Sequence, residues 1–285
     1  MALAIATHKA LLRYDNGAVD VWGMDGSYGC LAYDPGHEAI FVTCQEEFAQ
    51  KLDAKFMGDP VLLVYGEDGK IIDRRRVDGI TGVHMAYFDE ESGHMFVCHS
   101  PTNQVLISTP FTQKPAENLN VGTIREDVNH INSVRVHGDL MYLMLHNGAA
   151  LDPTVKSAIL CLKWKESEIQ WFEWLLYRGC HDVEVDGDVL YYNASEDGRT
   201  CRVNRESGVT DELIIGGHSK GMWRLDEETM VVGSSVNSKY HEDRRDSYCD
   251  LVYIDLKKWE VKERETILLA NRSAGQINEI VQINE

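Results

Sequence analysis

The sequence predicts an all-β chain, a six-bladed β-propeller closed by pairing of its N- and C-terminal strands in one blade. Three observations carry this. Short β-branched or aromatic runs bounded by Gly, Asp or Asn fill the chain, one phrase recurs in order along it, and an inner strand at the C-terminus lacks partners that the N-terminus supplies.

The runs are typified by Ala39-Ile-Phe-Val-Thr43, Met95-Phe-Val-Cys98, Leu140-Met-Tyr-Leu-Met144 and Leu251-Val-Tyr-Ile254. The recurring phrase is an inner segment, an acidic turn and a strongly apolar strand. Its copies are Ala32-Tyr-Asp-Pro-Gly-His-Glu-Ala-Ile-Phe41, Ala86-Tyr-Phe-Asp-Glu-Glu-Ser-Gly-His-Met-Phe96, Val134-Arg-Val-His-Gly-Asp-Leu-Met-Tyr142, Val183-Glu-Val-Asp-Gly-Asp-Val-Leu-Tyr191 and Met222-Trp-Arg-Leu-Asp-Glu-Glu-Thr-Met-Val231. Each reads as the first two strands of a blade, and the stretch after it supplies the third and fourth. The sixth inner strand is Gln276-Ile-Asn-Glu-Ile-Val-Gln-Ile283. The strands predicted at 2–7, 9–14 and 18–22, around the turn Asp15-Asn-Gly17, complete its blade and remove an open sheet edge. The whole of 1–285 is thus expected to be one propeller domain.

Composition bounds the function. The chain is 44% hydrophobic and 26% charged, as expected of a protein with a real core, and its formal charge of −18 repels phosphate backbones and anionic lipid. Neither nucleic acid nor a membrane is an expected partner, and no apolar run is long enough to cross a bilayer. The seven cysteines are scattered without a C-x-x-C pair and are odd in number, which points to free thiols in a reducing cytoplasm. No P-loop, G-x-G-x-x-G, G-x-S-x-G or H-E-x-x-H motif is present.

Aligned on the recurring phrase, the inner strands bring Cys30, His84, His130, His181, His218 and Gln276 into one column. Four of the six are histidine in a chain that holds only 11. Blades are radial and their inner strands line the axis, so these side chains are expected to meet at one end of the channel. Imidazole nitrogen suits zinc and the later transition metals, whereas calcium takes oxygen. The expected metal ligands are therefore His84, His130, His181 and His218, with Cys30 and Gln276 as possible additions to the ring. The ion is one divalent metal, Fe(II) favoured, Zn(II) next and Ca(II) last. Asp127, Asp182, Glu184 and Glu279 lie near enough in sequence to hold the second ring nitrogens. Tyr33, Tyr87, Glu184 and Lys220 are the candidate acid, base or orienting groups.

Three long loops are expected at the same end, at 45–59, 147–157 and 235–248. The first spaces Phe48, Leu52 and Phe56 as an amphipathic helix, and the third offers Tyr240, His241, Arg244 and Arg245 for substrate contacts.

The phrase His181-Asp-Val-Glu-Val-Asp-Gly-Asp-Val-Leu-Tyr-Tyr192 resembles the inner-strand signature of NHL-type six-bladed propellers. Within such folds the histidine column looks like the zinc ligands of peptide-amidating lyase and the four iron(II) ligands of the larger, seven-bladed carotenoid cleavage oxygenases. This chain is much shorter than the latter and lacks their membrane-dipping segment. A likeness to gluconolactonase-type propellers instead implies calcium held by Asn132, Glu184, Asn278 and Glu279. The resemblance implies a metal-dependent enzyme acting on a small-molecule substrate, an oxygenase, a lyase or a hydrolase. The rival expectation is a metal-free interaction platform.

Overall fold

A computed structural model describes residues 2–24, 26–45, 61–76, 83–111, 117–121, 128–146, 154–270 and 272–284. The helix expected at 46–56, most of the loop at 147–157, and Asp127 lie outside these residues.

The strands fall in chain order. They are β1 (Ala2–Thr7), β2 (Ala10–Asp15), β3 (Ala18–Met24), β4 (Ser27–Asp34), β5 (Ala39–Gln45), β6 (Val61–Gly66), β7 (Ile71–Arg76), β8 (Val83–Asp89) and β9 (His94–His99). Next come β10 (Gln104–Ser108), β11 (Glu117–Asn120), β12 (Ile131–His137), β13 (Leu140–Leu145), β14 (Ala158–Lys163), β15 (Glu168–Trp174), β16 (Cys180–Asp186), β17 (Val189–Ala194) and β18 (Arg199–Asn204). The series ends with β19 (Thr210–Ile214), β20 (His218–Arg224), β21 (Thr229–Ser235), β22 (Cys249–Asp255), β23 (Glu260–Thr266), the short pair β24 (Leu268–Leu269) and β25 (Arg272–Ser273), and β26 (Ile277–Ile283). One five-residue helix, α1 (His241–Arg245), precedes β22.

These strands make six four-stranded antiparallel sheets, the blades of a six-bladed β-propeller, beside the β24–β25 pair. Five blades take consecutive strands: β4–β7, β8–β11, β12–β15, β16–β19 and β20–β23. The sixth runs β26-β1-β2-β3, so the last long strand is the inner partner of the first, as the sequence predicts.

Contacts divide the chain into two compact units with three blades each, Met1–Thr81 with Leu213–Glu285, and Gly82–Glu212. In the first unit, β20, β26 and β4 are neighbouring inner strands; in the second, β8, β12 and β16 are. Apolar side chains fill the space between facing sheets. Phe96, Val105, Val134 and Leu143 pack in one such layer, and Met144, Ile159, Leu190 and Tyr192 in the next. In the first unit Ala4, Leu31, Ile40 and Val281 form one layer, and Leu3, Ile5, Val231 and Ile277 another.

The burial pattern follows from position in the blade. Inner and middle strands such as Leu140–Leu145 are covered on both faces and read as nearly continuous apolar runs, whereas outer β23, Glu-Val-Lys-Glu-Arg-Glu-Thr, is exposed along most of its length. Charged outer strands discourage pairing with other chains. The turn Asp15-Asn-Gly17 forms as read: Asn16 and Gly17 both take positive φ, 47° and 88°, the conformation of a tight hairpin turn matched to strand twist.

Candidate functional site

Every inner strand carries one extra residue opposite its neighbour in the blade. The pairing slips between Gly29 and Ala32, Val83 and Ala86, Ile131 and Ser133, His181 and Glu184, Ser219 and Met222, and at Ala6/Thr7 opposite β26. Such a bulge bends a strand and re-aims the side chains around it. Positive φ at Cys30 (49°), Asp182 (58°) and Gly221 (77°) accompanies it.

The bulges define the true register, and the predicted column departs from it. Cys30 and His84 lie within their bulges, His181 immediately precedes its own, and His130, His218 and Gln276 stand two residues upstream of Asn132, Lys220 and Asn278. All six inner strands share the extra residue, so it shifts no blade against another; the departure arises because His130 and His218 lie four residues before Val134 and Met222, where Cys30, His84 and His181 lie two before Ala32, Ala86 and Val183.

The structure nevertheless gathers three of the four predicted histidines, within the Gly82–Glu212 unit. The rings of His84 and His130 meet edge to face with centres 4.6 Å apart. His146, which the column does not include, lies 5.2 Å from His130 and 5.5 Å from His181. The order His84, His130, His146, His181 is therefore a continuous row of imidazoles drawn from three adjacent blades. All four are half-buried. His218 begins β20 in the other unit.

Backbone pairing explains the fourth ring. Ile131 pairs with Leu145, and one step further the His146 N–H donates to the His130 carbonyl at 3.1 Å. Counting outward from the Gly138-Asp139 turn, with one residue allowed for the bulge, places His146 opposite His130. That hairpin count is the sequence signal that could have found it.

The row is anchored at one end, where His181 Nδ1 shares a 2.9 Å hydrogen bond with Ser195 Oγ and its ring orientation is thereby fixed. Beneath it runs a buried polar network. The Asp182 N–H donates to Ser133 Oγ at 2.7 Å, Asp182 accepts from Asn193 Nδ2 at 2.8 Å, and Asn193 Oδ1 accepts from Thr200 at 2.7 Å. Asn132 donates to the Cys180 carbonyl at 2.8 Å, tying β12 to β16.

Two imidazoles on one tetrahedral ion, with metal–nitrogen bonds of about 2.1 Å, have ring centres about 5 Å apart. The spacings in the row, 4.6 to 5.5 Å, match this pair by pair. In the side-chain positions of this structure the rings adjoin in sequence, and among the described residues no group of three or more His, Cys, Asp or Glu presents its ligand atoms to a single centre. Three or four of these nitrogens would have to turn about their side-chain bonds to share one ion.

The candidate acid–base residues separate. Tyr87 and Glu184 belong to the same unit as the row, and Arg135 stands between them. Its guanidinium lies 4.6 Å from the centre of the Tyr87 ring and 2.7 Å from Glu184 Oε2. Burial alone would raise the Glu184 pKa, but the Arg135 charge, His137 and the Val185 N–H together hold it below the ordinary carboxylate range. Glu184 is thus an ionised, paired carboxylate. The Tyr87 hydroxyl is pushed up by burial, an effect that Arg135 partly opposes.

Tyr33 and Lys220 lie in the other unit. Tyr33 donates to Glu67, and its hydroxyl is held well above the usual phenol range by burial and by that bond. Lys220 sits on the bulge of β20 with its charge acting on the Cys30 thiol, which burial and the Glu279 charge nonetheless push far up. Of the oxygen set named for calcium, Asn278 donates through Nδ2 to the Tyr28 carbonyl at 2.6 Å and Glu279 accepts through Oε2 from the Leu31 N–H at 2.7 Å. Those bonds join neighbouring blades.

No protein-family model matches the chain, and no curated protein matches it in sequence. Solved structures do match in fold. A protein of unknown function from Bacteroides caccae aligns with a TM-score of 0.68 at 10% identity over 100% of this chain and 99% of that one. A chain of the nidogen/laminin complex gives 0.65 at 10% identity over 98% and 97%, and one of the mitotic checkpoint complex 0.58 at 8% over 98% and 76%. The class is therefore the six-bladed β-propeller, established by six sheets of the expected strand order and by likeness along the full chain. At these identities the likeness is one of fold alone.

Proposed function

We propose that the chain is a metal-dependent enzyme acting on a small molecule, with one divalent ion held by imidazoles of the row His84, His130, His146 and His181. The observation that supports this reading is the contact of four histidines from three adjacent blades, with neighbouring ring centres 4.6 to 5.5 Å apart. Neutral nitrogen donors with no carboxylate in the row favour Fe(II) or Zn(II) over Ca(II). Such an ion supplies Lewis acidity, and in the iron case redox chemistry as well. Ser195 would set the orientation of His181, and the Arg135–Glu184 pair, fixed by its own bonds, is suited to positioning rather than to proton transfer. Seven buried cysteines, all free, agree with a reducing cytoplasm.

Elemental analysis of untagged protein tests this. The expected result is close to one iron or zinc per chain, lost in the His130→Ala/His146→Ala variant, which retains its circular dichroism. Metal-free protein from metal-replete medium overturns the reading.

A protein-interaction platform is the second reading. It is favoured by Phe172 and Trp174 on outer strand β15, which stand 43% and 58% exposed with ring centres 4.9 Å apart. On that reading Phe172→Ser/Trp174→Ser abolishes association with a protein partner, and the histidine variants leave it unchanged.

A further inference from the structure

The Met1–Thr81/Leu213–Glu285 unit holds a second polar cluster, independent of the imidazole row. Three segments lock together beside the start of β26. The Gln276 N–H donates to the Arg244 carbonyl at 2.7 Å, the His8 N–H donates to the Gln276 carbonyl at 2.9 Å, and the Thr7 hydroxyl donates to the Ala274 carbonyl at 2.7 Å. Ser273 donates to the Ser247 carbonyl. At Gly275 a Cβ would lie 3.0 Å from that of Lys9 and 3.4 Å from the Arg245 carbonyl, so the three segments leave little space between them.

Two cations sit on this scaffold, and among the described residues neither forms an ion pair with a carboxylate. Arg244, half-buried, donates through Nε to the Ser238 carbonyl at 2.7 Å, and Lys9 donates to the Ser273 carbonyl at 3.1 Å. Both acceptors are neutral. Several cations elsewhere in this acidic chain find carboxylates: Arg75 reaches Asp73 at 2.6 Å, Arg202 Asp211 at 2.8 Å, Arg199 Glu212 at 3.0 Å and Arg264 Asp250 at 3.0 Å. Asp243 accepts from the Ser238 hydroxyl at 2.6 Å, and Glu242 and Asp246 are exposed.

A cation drawn out of water without an opposite charge is costly unless something supplies that charge. Burial accordingly lowers the Arg244 pKa. Gln276, whose backbone N–H meets the Arg244 carbonyl, is 2% exposed, and among the described residues its Oε1 has no hydrogen-bond partner. Half a turn of that carboxamide offers its two N–H donors instead.

We infer that Arg244, Lys9 and Gln276 form a binding site for an oxyanion, the carboxylate or phosphate group of a small molecule. The guanidinium fork supplies paired donors, Lys9 a second charge, and the locked scaffold holds both in place before the anion arrives.

Titration calorimetry and thermal melts with inorganic phosphate and with succinate test the site. Saturable binding of either is expected to raise the melting temperature, and the stronger of the two identifies the anion class. Arg244→Met, which keeps the apolar stem, should weaken binding by about tenfold or more, the scale of a lost charge-assisted hydrogen bond. Lys9→Met should weaken it less, and added salt should weaken it in the wild type. If Arg244→Met fails to fold, Lys9→Met and Arg244→Lys provide the same comparison. Absence of binding by both anions, or equal affinity in wild type and the folded variants, overturns the site.

Discussion

Arg135 and Glu184 are 3% and 6% exposed and lie 2.7 Å apart, so each is the other's compensation for leaving water. Removing one partner strands a charge: Arg135→Met should cost about 3–5 kcal/mol, measured as a shift in urea midpoint. The pH dependence has a definite sign. Because the Glu184 pKa is lowered in the folded state, the pair stabilises fully above the ordinary carboxylate range, and that contribution is lost as pH falls through the folded value. Urea midpoints between pH 7 and pH 3 should fall more shallowly in Glu184→Gln than in the wild type. Neither role was legible beforehand. The sequence marks Glu184 as a carboxylate near a histidine, but its partner is 49 positions away, and nothing local announces that Arg135 is buried against it. His84, His130 and His181 were legible because they begin or precede inner strands, and His146 was not, because it follows the second strand of its blade.

At the scale of the strand, the recurrent bulge re-aims the side chains around it in every inner strand alike. The phrases themselves were readable, and so were the hairpin turns, since both rest on local preference. The bulge was not, because an extra residue leaves the alternation of an all-buried strand unchanged. Two glycines near it are required. Gly221 holds φ +77° on the β20 bulge, and a Cβ there would come within 3.0 Å of Ile277 and 3.1 Å of Ile280. In Gly233 of β21 a Cβ would lie 2.3 Å from the Lys220 carbonyl, a backbone atom that cannot swing aside. Gly221→Ala should cost about 1–3 kcal/mol through strain. Gly233→Ala should cost at least as much through overpacking in the same denaturation assay.

For the molecule as a whole, the composite blade is the joint on which the fold depends. Ala2 pairs with Ile283 and Ala6 with Glu279, and Ala2, Ala4, Ala6, Val281 and Ile283 are all buried there. Deleting 277–283 should leave a chain with no cooperative melt by calorimetry. Joining residue 283 to residue 2 with a short linker and opening the chain between β3 and β4 should preserve the melt, because every blade is then built from consecutive strands. During biosynthesis the natural order has the opposite effect. β1 is made long before its inner partner β26, so the edge of its alanine-rich ribbon that β26 pairs with stays open while the five intervening blades are synthesised, and that interval is when a chaperone would find this chain.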